Sequence, residues 1–194
     1  MAPESSIPGT GVPKTIWFTW FQGLDAAPEL VRRCHDSWHT RNPDWRIVTL
    51  DEGTLGDVAS LDYSHGKLAG QLQNHRANVL RLELLSRYGG VWADATTFCA
   101  RPLDDWLPEY LASGFFAFRR PGPDRLLSTW FLAAEPDNHL VVEWFRRMSE
   151  YWCEHSFRYM PKLRLALTLL LERSRRGRSL WFSPLFRDVL RIAP

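Results

Sequence analysis

The residue of this 194-residue sequence best placed for chemistry is Asp94. It lies near the end of an apolar segment, Val91–Ala95, which a Gly89-Gly90 turn joins to a long helical pattern. Ligands of α/β sheets bind at the carboxyl ends of parallel strands, so this position favours a reactive carboxylate. A strand-end Asp can also be purely structural, as the acceptor of an Asx turn or a helix cap.

Other patterns that carry chemistry are weak. Neither GxGxxG nor a P-loop occurs, so dinucleotide oxidoreductases and P-loop NTPases have no support. His35 and His39 fall four residues apart on one predicted helix, but no third ligand lies near them in the sequence to complete a zinc site. Cys34, Cys99 and Cys153 form no CxxC pair, which indicates neither a disulfide framework nor a structural zinc site and fits a reducing compartment.

The elements that must position Asp94 alternate between strand and helix. Strands are predicted at Lys14–Phe21, Trp45–Leu50 and Val91–Ala95, and helices at Pro28–Arg41 and Leu68–Tyr88. Parallel strands need a crossover connection, so this order predicts an α/β sandwich with a mostly parallel central sheet flanked by helices.

The second half of the chain adds two strands and two helices. The strands are expected at Phe115–Phe118 and Ser128–Ala134, around a Pro/Gly-rich loop at Arg119–Asp124. One helix follows at His139–Glu154, and a second, amphipathic and ending in a basic cluster, at Lys162–Arg178.

Composition sets the class of protein. Hydrophobic residues make up 45% and charged residues 24%, which excludes a wholly disordered or fibrous chain. The formal net charge is only +2, from 24 basic and 22 acidic residues, so no nucleic-acid partner is expected. The ten Trp residues can serve as stacking platforms for sugars and bases, or as core fillers.

The termini bear on where the protein acts. Residues 1–12 lack the basic and apolar regions of a secretory signal and are interpreted as a flexible leader, which favours a cytoplasmic protein. The apolar stretch Leu163–Leu171 is too short to span a bilayer. With the arginines that follow Glu172, it predicts peripheral contact with anionic lipid or an acidic partner, unless the helix simply packs on the core.

The stretch RLELLSRYGGVWADAT, residues 81–96, resembles the nucleotide-sugar-binding core of glycosyltransferases with the GT-A fold. The resemblance is to the capsular polysaccharide synthesis group and its relatives among DXD-containing sugar transferases. It extends to PKTIW at 13–17, APELV at 27–31, NP at 42–43 and RPLDDW at 101–106. It implies a GT-A-like domain over residues 13–160, followed by a basic helical segment, 161–194, that is short relative to such transferases.

The same resemblance implies a set of donor-binding residues. Trp20 matches the base-stacking aromatic, with Trp17 as the alternative and Thr19 included in the set. Asn78 and Arg81 match an Asp and an Arg that hold the sugar, and their i, i+3 spacing keeps them on one helical face. Asn in place of Asp retains hydrogen bonding and removes a charge, which suggests altered donor choice or weaker affinity.

A divalent cation is also implied. Asp94 matches the first Asp of the DXD motif and is the expected catalytic residue, while Thr96 stands at the second Asp. The resemblance therefore predicts Mn²⁺ or Mg²⁺ at Asp94 and Thr96, with Asp104 or Asp105 as alternative contributors. A hydroxyl in place of a carboxylate weakens a hard-cation site.

The implied function is transfer of a hexose from a nucleotide diphosphate sugar to a glycan or other hydroxyl acceptor, with retention of configuration, in capsule or surface polysaccharide synthesis. One alternative is a noncatalytic, decayed transferase that acts as a binding module, suggested by Asn78, Thr96 and the short length. The other is a phosphatase with an Asp at a strand end, but the second carboxylate that this chemistry uses is missing at Thr96.

Overall fold

The computed structural model describes residues 5–122 and 125–154. The strands are β1 Thr15–Thr19, β2 Arg46–Leu50, β3 Gly90–Ala93, β4 Phe115–Gly122 and β5 Arg125–Ala134. The helices are α1 Glu29–Arg41, α2 Gly66–Ala69, α3 Gln73–Tyr88 and α4 His139–Glu154. The predicted helix Lys162–Arg178, and with it the expected membrane contact, lies outside the described residues.

One mixed sheet has the strand order β2-β1-β3-β5-β4. β1 pairs in parallel with β2 and with β3, whereas β5 is antiparallel to β3 and to β4. Every strand except β5 therefore runs in the same direction. The helices α1 and α3 form the crossovers between the parallel strands, which confirms the predicted α/β fold.

The sheet separates two hydrophobic clusters. All five residues of β1 are buried, as expected for a central parallel strand. Its alternation sends Trp17 to the cluster on the α3 and α4 side, and Ile16 and Phe18 to the cluster on the α1 side. In the same way, Trp92 of β3 faces α3 and Val91 faces α1.

The double-glycine turn fixes the position of α3 along the direction of the strands. Gly90 has a φ of 92°, and a Cβ there would lie 2.6 Å from the carbonyl oxygen of Thr15. Arg81 lies about 10.5 Å along the helix from Tyr88, and Asp94 about 13 Å along the strand from Gly90. Arg81 and Asp94 are therefore nearly level, and the first two turns of α3 extend past the carboxyl edge of the sheet.

Two predicted boundaries are wrong. The helix expected from Leu68 begins at Gln73, because Leu72 adopts an extended backbone (φ −61°, ψ 146°) and residues 66–69 form the separate helix α2. Gly70 stands between them, and glycine is a poor helix former. The loop expected at residues 119–124 is largely strand, because β4 continues to Gly122 and β5 begins at Arg125.

The described part of the predicted leader is packed against the domain. Ile7 and Val12 are buried in the α1-side cluster, and the backbone N–H of Ile7 donates to the carbonyl of Val12. Ile7 and Val12 therefore anchor residues 5–12 to the core, although most of the other residues of this segment are exposed.

Cys34 and Cys99 are buried free thiols. Within residues 5–122 and 125–154, no helix has the length and hydropathy needed to cross a membrane.

Candidate functional site

Arg81 and Asp94 form an ion pair at the carboxyl edge of the sheet. A terminal nitrogen of Arg81 lies 3.1 Å from Oδ1 of Asp94. The arginine side chain is only 5% exposed, whereas that of Asp94 is 36% exposed. Arg81 also donates to the backbone carbonyls of Thr129 and, at 3.4 Å, Ala77. Arg81 and Asp94 therefore lie on the same face of the sheet.

Trp92 fixes the orientation of Asp94. Its indole Nε1, buried two residues earlier on β3, donates to Oδ1 of Asp94 at 2.8 Å, and its ring lies 5.3 Å from the Arg81 guanidinium. The backbone N–H of Asp94 donates to the carbonyl of Trp130 at 2.8 Å. Both side-chain donors use Oδ1, and Oδ2 accepts no hydrogen bond from the residues that the structure describes.

Burial makes Arg81 a desolvated cation. Removal from water lowers the pKa of its guanidinium, and the charge of Asp94 acts in the opposite direction. A buried guanidinium of this kind strongly prefers an anion beside it. The pair can therefore hold a polar ligand between a fixed cation and the free oxygen of Asp94.

A bulge in β5 supplies two of the backbone oxygens at the site. Ala117 pairs with Leu132 and Arg119 with Leu127, so Phe118 alone opposes residues 128–131. This bulge carries the carbonyls that bind Arg81 and the Asp94 N–H. Its Trp130 ring stacks on Phe118 at 5.0 Å, and both rings are partly exposed. Bulges commonly re-aim side chains next to active sites.

Thr19 ends β1 beside the ion pair. Trp17 of β1 pairs with Trp92 of β3, and the same register places Thr19 level with Asp94. The Thr19 side chain is buried, and its Oγ1 finds no hydrogen-bond partner among the described residues. It is therefore a polar group held at the site with spare bonding capacity.

The two candidate stacking tryptophans occupy different places. Trp20 follows Thr19, is half-buried against the α1-side cluster, and has a buried Nε1 without a partner in the described part of the chain. Trp17 is 5% exposed and donates through Nε1 to the carbonyl of Gly89 at 2.8 Å. That contact lies at the amino edge, so the core position of Trp17 rules it out as the stacking residue.

Asn78 shares α3 with Arg81 but does not join the ion pair. It is half-buried, and no hydrogen bond within residues 5–122 and 125–154 engages its amide. The structure thus brings together Arg81 and Asp94, with Thr19 level on the neighbouring strand. Trp20 lies on the α1 side of the sheet.

The predicted metal ligands form a sparse donor set. Thr96 is exposed, and no group of three or more His, Cys, Asp or Glu residues in the described part of the chain could hold a metal ion. Mg²⁺ is often bound through one or two carboxylates together with substrate phosphates. Asp94 and Thr96 therefore fit a cation that enters with a phosphate ligand.

Asp104 and Asp105 do not contribute to this site. Asp104 accepts from Lys14 Nζ at 2.7 Å and from Trp45 Nε1 at 3.2 Å. Lys14 and Trp45 precede β1 and β2, so Asp104 lies at the amino edge, opposite Asp94. Asp105 lies 3.6 Å from Arg101 on the same segment. The alternative placement of the metal at these residues is wrong.

A second buried arginine at the carboxyl edge was missed from the sequence. Arg76 lies in the first turn of α3, 2.6 Å from Oε2 of Glu52, with its guanidinium 4.3 Å from the ring of Phe21. The hydrogen bond from Arg76 lowers the pKa of Glu52. The available signal was an arginine two residues before Asn78 on the buried face of the helix.

Glu83 was missed as well. Its side chain is fully buried and accepts from Ser60 Oγ at 2.6 Å and Tyr63 Oη at 2.8 Å, and Arg87 lies 3.3 Å away. Burial and the Glu83 charge raise the pKa of Tyr63. This carboxylate anchors the loop between β2 and α2, which forms one side of the carboxyl edge.

Comparisons with known proteins show similarity to glycosyltransferases. An O-glycosyltransferase, braB, from Annulohypoxylon truncatum is 32% identical over 162 residues, which cover 72% of this chain and 38% of that protein. The initiation-specific alpha-1,6-mannosyltransferase of Candida albicans is 24% identical over 78% of this chain and 40% of its own length. The chain thus spans about two fifths of the curated relatives it matches.

A solved structure and a family of proteins are also similar to this chain. The solved structure of the PaToxG glycosyltransferase superposes with a TM-score of 0.50 at 14% identity, covering 72% of this chain and 60% of that one, which supports the fold alone. The family described as capsular polysaccharide synthesis protein matches residues 5–161. This chain therefore belongs to the family of capsular polysaccharide synthesis proteins.

Proposed function

We propose that this chain forms the donor-binding part of a glycosyltransferase that moves a hexose from a nucleotide diphosphate sugar to a hydroxyl acceptor. The observation that carries the proposal is the buried Arg81, paired with Asp94 at the carboxyl edge in a member of this family. Relatives named as O-glycosyl and mannosyl transferases support the reaction class. Capsule or surface polysaccharide is the proposed setting, and retention of configuration rests on resemblance alone.

In the proposed reaction, the bond between the sugar C1 and the diphosphate oxygen breaks, with its electron pair going to the diphosphate. C1 bonds to the acceptor oxygen, and the proton of the acceptor hydroxyl passes to the departing diphosphate. Negative charge grows on the departing diphosphate, so fixed donors and cations aimed there lower the barrier. Arg81 is such a cation, and its carbonyl contact with Thr129 keeps it from turning away. Oδ2 of Asp94 and the hydroxyl of Thr19 can accept from sugar or ribose hydroxyls.

A divalent cation, when bound, would add charge neutralisation of the diphosphate. Asp94 and Thr96 would hold it, with fewer formal charges than a pair of carboxylates provides. Changing Thr96 to Asp should therefore strengthen the dependence of donor binding on Mn²⁺.

The test is calorimetric titration of the 194-residue chain with a panel of nucleotide sugars, with and without Mn²⁺, together with release of nucleoside diphosphate. Wild type should bind at least one sugar, and Mn²⁺ should improve affinity only modestly. Asp94→Ala should abolish turnover with the fold intact by circular dichroism. Full turnover in Asp94→Ala would refute the donor site. Binding without turnover in wild type would instead favour a noncatalytic module.

The place of action is part of the proposal. We propose a cytoplasmic protein with peripheral membrane contact, and fractionation of cells that express the chain tests it. Recovery in the lumen of a secretory compartment would contradict this placement.

A further inference from the structure

Arg76 is a buried cation on α3, the helix that also carries Arg81. Its side chain is 6% exposed, whereas its counter-ion Glu52 is 48% exposed. Glu52 follows β2 and Phe21, under the guanidinium, follows β1, and the Glu52 N–H donates to the carbonyl of Phe21 at 3.0 Å. These contacts place Arg76 at the carboxyl edge, the edge that also holds Asp94.

The guanidinium of Arg76 is incompletely satisfied. Its Nε is buried and has no hydrogen-bond partner among the described residues. An arginine carries five N–H donors in a planar fork that matches phosphate oxygens two at a time. Here the anion beside it is the carboxylate of Glu52, whose side chain is already about half exposed to solvent. Replacing this carboxylate with a phosphate would therefore break few buried contacts of Glu52.

The helix that carries Arg76 adds to the attraction. α3 has sixteen residues, Leu72 makes no side-chain cap at its start, and the first turn contains no acidic residue. Positive potential at such an N-terminus favours an anion. Arg76 lies five residues before Arg81, about 7.5 Å along the helix axis. Its contacts are with residues that follow β1 and β2, whereas those of Arg81 are with Asp94 and Thr129.

We propose that Arg76 binds the diphosphate of the donor and that Glu52 occupies this cation as an exchangeable counter-ion when no donor is present. The inference rests on the proposed function and names a second cation, besides Arg81, that meets the leaving diphosphate. On donor binding, the phosphate oxygens take the place of the Glu52 carboxylate, which moves into solvent. Arg76 then supplies positive charge that compensates for weaker metal binding, because Thr96 stands in place of the second acidic residue.

Two variants of this one ion pair separate ligand binding from a structural clamp. Titration of a panel of nucleoside diphosphates in metal-free buffer should show affinity reduced about tenfold in Arg76→Gln. Glu52→Gln should raise affinity about three- to tenfold, because the competing carboxylate is gone. Thermal unfolding should show both variants slightly less stable. If the pair were purely structural, Arg76→Gln and Glu52→Gln would change the affinity for nucleoside diphosphates in the same direction, which would contradict the proposal.

The double variant tests the displacement itself. In Arg76→Gln/Glu52→Gln, affinity should equal that of Arg76→Gln, because Glu52 competes only through Arg76. Persistence of the Glu52→Gln gain in the Arg76→Gln background would overturn the displacement. Arg101→Gln, which removes the same charge from an exposed pair with Asp105, should leave affinity unchanged.

The outcomes also separate this inference from the function on which it rests. Wild type that binds a nucleoside diphosphate, with Arg76→Gln equal to it, would refute only the role of Arg76. Wild type that binds none of the panel would refute both.

Discussion

The two edges of the sheet differ in how many of their polar groups have hydrogen-bond partners. At the amino edge, Asn42 donates through Nδ2 to the carbonyl of Trp38 at 3.0 Å and accepts at Oδ1 from the Leu103 N–H at 2.8 Å. Asp104 there binds Lys14 and Trp45. The carboxyl edge instead holds buried polar atoms with no partner in the described structure, namely Thr19 Oγ1, Trp20 Nε1, Arg76 Nε and Ser128 Oγ.

This difference separates stability from function. A buried polar group without a partner costs about 1–3 kcal/mol, and native proteins keep few of them. Four at one edge fit the proposed binding of a ligand there, which would supply the missing hydrogen bonds. The amino edge, with its polar groups paired, contributes to holding the sheet together.

Among the charge-conserving substitutions, the largest effect on activity is expected from Arg81→Lys. Lysine cannot contact Asp94 and the Thr129 carbonyl through one planar fork, so nucleoside diphosphate release should fall at least about tenfold. Stability should fall by about 1.5–3 kcal/mol, since a hydrogen-bonded buried charge is disturbed.

Arg87→Lys is the matched control in the last turn of α3, near the amino edge. Arg87 is 41% exposed, so stability should change by less than about 1 kcal/mol, and product release should not change. Equal loss of activity in both variants would remove the distinction between the edges.

Asn42→Ala is expected to have the largest effect on stability without an effect on chemistry. It removes the bonds to Trp38 and Leu103 and leaves the Leu103 N–H buried without its acceptor. Unfolding in urea should show a loss of about 1–3 kcal/mol, while donor affinity at a temperature where the variant is folded stays unchanged. A loss of affinity in the folded variant would mean that the amino edge also serves the site.

Local pattern predicted Asp94, and the family resemblance of the same stretch implied Arg81, because every signal for them lies within a few residues. The double glycine, the apolar strand and the helical spacing are all contiguous in sequence. Arg76 with Glu52, and Glu83 with Ser60, were missed because these partners lie more than twenty residues apart and only the folded chain joins them.

Other features have no local signature at all. The strand pattern of STWFLAA at 128–134 gives no sign that residues 128–131 bulge opposite Phe118. Asp104 and Asp105 were offered as alternative contributors to the metal site because the sequence shows an acidic pair, but not at which edge of the sheet that pair lies. The sequence therefore predicted which residues carry charge, but not where the fold places their side chains.

Thr19→Val tests the cost of an unpaired group at the carboxyl edge. Valine has nearly the shape of threonine and removes a buried hydroxyl that has no described partner, so stability should stay the same or rise by up to about 1 kcal/mol. Donor affinity should fall, because the hydroxyl is held for the ligand. Titration and urea unfolding measure the two quantities. A clear loss of stability would show that Thr19 is a structural residue.

The smallest effect concerns His35, on α1 between the two edges. Its Nε2 lies 2.8 Å from Thr49 Oγ1, and burial, with a smaller contribution from His39, lowers the pKa of its imidazole despite Asp36. The unfolded chain then binds more protons than the folded one as pH falls from about 6.5, so stability should decline below that pH. Glutamine at this position can still meet Thr49 but does not titrate, so His35→Gln should flatten the decline in unfolding free energy between about pH 7 and pH 5. An unchanged slope in His35→Gln would assign the pH dependence of stability to another group. Donor affinity at pH 7 should be the same in wild type and His35→Gln, because His35 belongs to neither edge.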